Sequence, residues 1–219
     1  MLRSTQKADR YEYRKSLPES LSGRKENEKM EFSEVLKRRT IRLFRQEAVP
    51  EEAIVKMIDA ARKASCASNK QRLRYIAVRS RDLTDAILPH TAYAGLVQPR
   101  RNPEKGKTAP AAFLAVCCTE VPSAHLYADA GAAIQSIEFA AWEEGIGCCW
   151  LGSFRKETVA EILGLPDAEK LIYLVALGYP AEDPLEEEVS AQGDVKYYLD
   201  EENRLHVPKY SVDAILQFR

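Results

Sequence analysis

Two apolar runs constrain this chain more than any other feature: AAFLAVCC at 111–118 and LIYLVALGYP at 171–180. Neither alternates between apolar and polar, as a strand with one wet face would. Both fall well short of the roughly 18 residues of a membrane span. They read as strands covered on both faces, so helices have to lie on either side of one sheet. The pattern around them supplies such helices. Residues 50–64 open on Pro50, carry Glu51 and Glu52 in the first turn, and place Ile54, Met57, Ile58 and Ala61 on one face. Ser123 is placed to cap a long helix reaching Glu144, with Leu126, Ala130, Ala133, Ile134, Ile137 and Ala141 as its inward stripe and Gly145 as its stop. Shorter helices are expected at 31–39, 82–88, 156–163 and 212–218. A strand is expected at 74–78, and a two-stranded excursion over 195–210 turns at 201–203. Helices and strands interleave without a strict βαβ rhythm, which predicts an α+β fold with a mixed sheet between helical layers.

The 219 residues suffice for one well-buried domain. Residues 1–29 stand apart: they hold eight basic and five acidic side chains, few aliphatics and no period. Such a segment buries too little apolar surface to offset its ordering entropy, so a mobile polar arm is expected before a single domain at 30–219. The near balance of 32 Lys+Arg against 33 Asp+Glu argues against a nucleic-acid partner. No membrane partner is expected either, nor a secretory signal, because the N-terminal positive charge precedes no apolar segment. The five cysteines form no C-x-x-C, and the adjacent pairs Cys117–Cys118 and Cys148–Cys149 cannot easily bridge. Reduced thiols in a cytoplasm are the plain expectation.

Several chemistries are excluded by what is missing. GIGCCW at 145–150 imitates a dinucleotide fingerprint, but Trp150 occupies the third glycine position and the run follows a helix, not a strand. There is no P-loop, G-x-S-x-G elbow or H-E-x-x-H. His90, His125 and His206 are far apart in sequence and read as structural or surface residues. The acidic run at 182–188 reads as a solvated face. The chain thus offers no reactive side chain of its own. It does offer KRRTIRLF at 37–44, where Arg38, Thr40 and Arg42 alternate. In an extended segment two guanidinium forks and a hydroxyl would share a face and could grip a phosphate. The other reading is that Arg38 and Arg39 cap the first helix and Arg42 lies on the surface.

Four segments in order resemble the FMN-dependent nitroreductase family over residues 30–219. Arg38-Arg39-Thr40-Ile41-Arg42 is similar to its R-R-S-x-R opening. Residues 65–72 are similar to a P-S-A-x-N-x-Q-P loop, with Ser65 and Arg72 in the proline positions and Asn69 and Gln71 kept. Residues 129–133 followed by 145–152 are similar to D-x-G-x-A and G-L-G-x-C-W-x-G. ALGYPAE and HVPK match the C-terminal pattern, with Tyr210 where arginine is usual. The resemblance implies a three-layer α-β-α sandwich with a mixed, largely antiparallel sheet, and an intertwined homodimer with FMN at the subunit interface. Arg38, Thr40, Arg42 and Lys209 would hold the flavin phosphate, and Arg39 would lie nearer the ring. Cys66, Ala67 and Asn69 would reach the flavin of the other subunit, and Gln71 would also bind the cofactor. The backbone at Leu151 and Gly152 would lie against the flavin edge that carries N5, and 92–107 would form a lid. Cys66 would be either a small neutral loop residue or a redox-active one. The implied activity is ping-pong transfer from NADH or NADPH through FMN to a nitroaromatic, quinone or similar acceptor. The same fold also hosts reductive dehalogenation and flavin fragmentation, and a non-enzymatic flavin-binding protein is the third reading.

Overall fold

The computed structural model describes residues 31–219; the expected arm at 1–29 lies outside the described residues. In chain order the elements are α1 (Phe32–Leu36), α2 (Glu51–Ala61), β1 (Leu73–Val78), α3 (Arg81–Ile87), β2 (Ala112–Cys118), α4 (Ala124–Glu143), β3 (Gly147–Leu151), α5 (Lys156–Ile162), β4 (Leu171–Gly178), β5 (Leu185–Val189), β6 (Tyr198–Leu199), β7 (Leu205–Tyr210) and α6 (Val212–Ile215). A four-stranded sheet of order β1-β2-β4-β3 is antiparallel throughout. A second sheet of order β5-β7-β6 pairs β5 with β7 in parallel and β6 with β7 antiparallel, and it supplies the mixed character.

The two apolar runs become the central strands β2 and β4, and their side chains divide between two cores. Leu114, Val116, Val175 and Leu177 pack with Ile54 and Met57 of α2 and Ile134 and Ile137 of α4. Phe113, Ala115, Leu174 and Ala176 face Ile87 of α3, Val159 of α5 and the segment around Ile41 and Phe44. This is the expected layering, and it follows from the period of two: adjacent residues of a doubly covered strand must each satisfy a different face. Each fully buried Leu or Ile contributes about 1.5–3 kcal/mol of apolar transfer. The long helix starts as its sequence predicts, with Ser123 Oγ accepting from the Leu126 amide. It stops at Gly145, whose φ of 75° and N–H to Trp142 close the last turn.

Two expectations need correction, and one element is new. GCCWL, unassigned by pattern, is the edge strand β3, which opens on Gly147 shortly after α4 stops. The acidic run at 182–188 is not simply a solvated face. The Glu182 side chain is only 6% exposed, and Leu185–Val189 is a strand whose alternate residues are half-buried. The first helix is shorter than expected and ends at Leu36, so Arg38 and Arg39 lie beyond it.

Two glycines decide how the segment before α2 docks. Gly147 and Gly178 face each other across the β3–β4 pair. A Cβ on Gly147 would stand 2.6 Å from Ile41 Cγ1, and one on Gly178 would stand 2.9 Å from Phe44 Cδ1. Ile41 and Phe44 therefore occupy the space left by two missing side chains. Backbone bonds fix the same segment: Ile41 N–H to Cys148 O, Arg45 N–H to Tyr179 O and Ala181 N–H to Leu43 O.

His206 organises the second sheet. Its Nδ1 lies 2.5 Å from Glu187 Oε1, its Nε2 lies 3.0 Å from Asp200 Oδ2, and its ring stacks on Tyr198. Tyr198 in turn donates its hydroxyl to Glu187. His206 is thus structural, as expected. Its proton affinity is raised, first by Asp200 and then by Glu187.

Two outcomes are expected. Gly147→Ala or Gly178→Ala should destabilise the domain by about 1–3 kcal/mol in urea unfolding, through overpacking against Ile41 or Phe44. Gly95→Ala, which meets nothing within 4 Å, should be near neutral. A raised folded-state affinity makes the His206 contribution complete below the ordinary imidazole range and lost as pH rises through the higher folded value. The melting-temperature gap between wild type and His206→Gln should therefore be wider at about pH 6 than at about pH 9. A pH-independent gap would show that the ring's charge plays no part.

Candidate functional site

Helix α4 buries two acidic residues, Asp129 and Glu138. They are nine positions apart, which is about 13 Å along the axis. An unpaired carboxylate is costly in such a place, so each needs a cation. Each is met by an arginine from one of the two loops singled out in the sequence.

At Glu138 the cation is Arg38, with Nη2 3.1 Å from Oε2 and the carboxylate side chain only 5% exposed. Burial pushes the Glu138 carboxyl above the usual carboxylate range, and Arg38 pulls it partly back. Arg38 still has two buried donors, Nε and Nη1, with no hydrogen-bond partner among the described residues. Its neighbours diverge. Arg39 Nη1 donates to the Leu36 and Arg38 carbonyls, which realises the capping reading for that residue, and its other terminal nitrogen pairs with Glu186 of β5. Burial, then Arg38, lowers the Arg39 pKa. Arg42 lies over the Tyr197 ring, 5.3 Å from its centroid. Thr40 is half-buried between them, and Ile41 points into the core against Gly147.

Lys209 comes to the same region through the second sheet. It is exposed on β7 and paired in register with Glu188, two residues from the Glu186 that holds Arg39. Registered residues of parallel strands share a face, so Arg39, Glu186 and Lys209 lie on one side of that sheet. Leu151 is the buried last residue of β3, and Gly152, just beyond it, is exposed with its Cα hydrogen toward the Tyr173 ring. The expected lid at 92–107 is docked: Tyr93, Ala94, Val97 and Arg101 are buried.

At Asp129 the cation is Arg72, with Nη2 3.0 Å from Oδ2, and Arg72 also reaches Glu120. The Ala67 N–H donates to Asp129 Oδ1 at 2.8 Å, and this bond leads in holding the carboxyl below its usual range. Between these anchors the loop is strained. Ser68, Asn69 and Gln71 all take left-handed φ values of 54°, 51° and 48°, a region non-glycine residues rarely occupy. Gln71 donates to Asn69 Oδ1. Cys66, Gln71 and Arg72, together with Ile58, Ala61, Tyr75, Leu114 and Asp129, line a cleft of about 460 Å³ between α2, β1 and α4. Within one chain, then, the structure brings Arg38, Arg39, Thr40 and Arg42 together near one end of α4, with Lys209 on β7 next to the strand that carries Glu186. It groups Cys66, Ala67, Asn69 and Gln71 at the other end of α4.

Sequence reasoning misses the acids. Asp129 is only a motif letter, Glu138 looks like an ordinary helix residue, and Glu182 sits in an acidic run. The one signal is a carboxylate inside an otherwise apolar helical stripe. The buried cysteines are packing residues: burial pushes the Cys117 thiol up to about 11 and Cys149 to about 12, and Cys148 well above the ordinary thiol range.

Arg38→Ala should cost about 3–5 kcal/mol, since it leaves Glu138 buried and unpaired. The sign with pH is fixed. Loss of Arg38 raises the Glu138 pKa further, and a carboxyl raised in the folded state loses stability as pH climbs through that value. Denaturant unfolding at about pH 5 and pH 8 should therefore show the larger deficit at pH 8, and Arg38→Met with Glu138→Gln should recover most of it. A deficit independent of pH would mean that Glu138 is not the group left unpaired.

Comparisons with known proteins identify the family. The sequence pattern of the nitroreductase family matches residues 35–179. A Methanothermobacter thermautotrophicus protein, provisionally named an NADH dehydrogenase/NAD(P)H nitroreductase, is 32% identical over 165 residues, spanning 71% of this chain and 81% of that protein. The crystal structure of a nitroreductase family protein from Clostridium novyi NT superposes with a TM-score of 0.58 at 27% identity, covering 69% of this chain and 86% of that one. An FMN-dependent nitroreductase from Clostridium difficile R20291 shares the fold with a TM-score of 0.55 at 21% identity, over 68% and 87% of the two chains. With a match that begins just before the arginine cluster and runs through the last central strand, this chain belongs to the nitroreductase family.

Proposed function

We propose that this protein is an FMN-dependent NAD(P)H oxidoreductase that passes reducing equivalents to a nitroaromatic, quinone or similar conjugated acceptor in the cytoplasm. The observation that carries the reading is Arg38. A guanidinium held by one nitrogen on a buried carboxylate, with two buried donors left over, is poised for an anion. Arg42 and Lys209 add charge nearby. Relatives named for NAD(P)H nitroreductase and FMN-dependent activity support the identity of that anion as the flavin phosphate.

Bound FMN supplies hydride and electron transfer, the chemistry the side chains lack. The protein's own groups would then hold, orient and shield. Arg38 and Arg42 take the phosphate, Lys209 approaches from β7, and Arg39 stays tied to Glu186. The chain just past Leu151 is unpaired and exposed at Gly152, which leaves backbone free to face a flat ring. The strained 66–71 loop stands about 13 Å along α4 from the arginines. We therefore assign Cys66, Ala67, Asn69 and Gln71 to the flavin of a second subunit, with the functional unit a homodimer.

Two experiments test this. The purified protein should show the two visible bands of bound flavin and oxidise NADH or NADPH in the presence of a quinone, with FMN released on denaturation; a colourless protein unable to bind added FMN would refute the reading. Shared sites are tested by refolding Arg42→Ala together with Asn69→Asp. Arg42 is chosen because removing Arg38 would leave Glu138 buried and unpaired. Two-fold symmetry leaves one intact site in each mixed dimer, so roughly a quarter of wild-type sites should return in a statistical mixture. No recovery in proven heterodimers would show that both residues serve the same flavin.

A further inference from the structure

The least expected charges in the fold are Arg101 and Glu182, whose side chains are 5% and 6% exposed. Glu182 stands two residues past Pro180, where the chain leaves the central sheet and bridges to Phe44. Arg45 N–H bonds Tyr179 O and Ala181 N–H bonds Leu43 O, and there the ladder runs out. The Glu182 side chain continues it. Its Oε1 accepts from the Arg42 N–H at 2.5 Å and the Leu43 N–H at 3.2 Å. A buried carboxylate thus fixes the backbone of the arginine cluster.

That arrangement carries an electrostatic difficulty. A carboxylate bonded to the Arg42 and Leu43 N–H groups lies beside the place where, on the flavin reading, the phosphate has to settle. Arg101 supplies the answer from the docked 92–107 segment. Its Nε stands 2.9 Å from Glu182 Oε2 but off the N–H axis, so this contact is Coulombic and not a hydrogen bond. Its terminal nitrogens are engaged elsewhere, on the carbonyls of Arg100 and Asn203 and the Asn203 side chain, which pins the guanidinium in place. A second tie joins the same partners: the Leu96 N–H donates to the Tyr197 hydroxyl, and the Tyr197 ring lies under the Arg42 guanidinium.

We infer that Arg101 is a charge-compensating and positioning residue of the cofactor site. It neutralises Glu182, so that Glu182 can hold the Arg42–Leu43 backbone without repelling the flavin phosphate, and it makes the 92–107 segment part of the phosphate grip. Buried ion pairs are poor stabilisers relative to apolar packing, so a role in setting charge and geometry accounts for this one better than stability does. The inference rests on the flavin reading above.

The test exploits the one difference between FMN and riboflavin, the phosphate. Dissociation constants for both flavins are measured by fluorescence quenching on apoprotein from wild type, Arg101→Met, Glu182→Gln and the double variant. In Arg101→Met the uncompensated carboxylate should weaken FMN about tenfold or more while riboflavin changes little. Adding Glu182→Gln should restore most of the FMN affinity, because the repelling charge is gone. Glu182→Gln alone leaves Arg101 unneutralised and should hold or increase the preference for FMN over riboflavin. Arg101→Lys, which keeps the charge, should retain that preference and serves if Arg101→Met does not fold. Equal weakening of both flavins in Arg101→Met, or failure of Glu182→Gln to restore FMN affinity in that background, would overturn the assignment and reduce the pair to a structural contact. Wild-type protein that binds neither flavin would instead refute the flavin reading, and this inference with it.

Discussion

The docking of Ile41 and Phe44 over Gly147 and Gly178 is the contact on which the rest of the arrangement depends. It is a steric fit that exists only because two paired strand residues lack a Cβ. Once Ile41 is seated and its N–H is bonded to Cys148, the residues on either side of it have nowhere to go but outward. Arg38 and Arg39 leave on one side, toward α4 and β5, and Arg42 on the other, toward Tyr197. The arginines are placed by an apolar anchor and not by each other. Mutual repulsion would otherwise scatter three cations in five residues.

Helix α4 then acts as a spacer. Its apolar stripe is committed to the sheet, and its two inward carboxylates each bind an arginine from a different loop. A helix has a fixed rise, so the spacing of Asp129 and Glu138 in sequence becomes a fixed distance between the arginine cluster and the 66–71 loop. The strain in that loop, with three left-handed non-glycine residues, is sustained by the anchoring of Ala67 and Arg72 on Asp129. Rigid elements thus hold both groups of candidate site residues, although the loops themselves are irregular.

Much of this architecture is legible in the amino-acid sequence. The two doubly apolar strands, the capped long helix and its stop at Gly145 are local signals, and all take the expected form. Pattern is less informative for β3 and β5. GCCWL is short and follows a helix directly, with no turn cluster to mark its start. LEEEV is too acidic to resemble a strand, and it pairs only because β7 arrives beside it.

What the sequence determined by itself was therefore most of the elements, their layering and the presence of a local arginine cluster, because period, capping and composition act over a few residues. What the tertiary structure decided was the partner of each buried charge. Glu138, Glu182 and Asp129 look like any other acids in the chain; each acquires its role from an arginine, or from backbone N–H groups, brought in from at least 57 positions away. The low dielectric of the core makes those pairings obligatory once the chain has folded, and nothing within a short window of sequence records which ones will form.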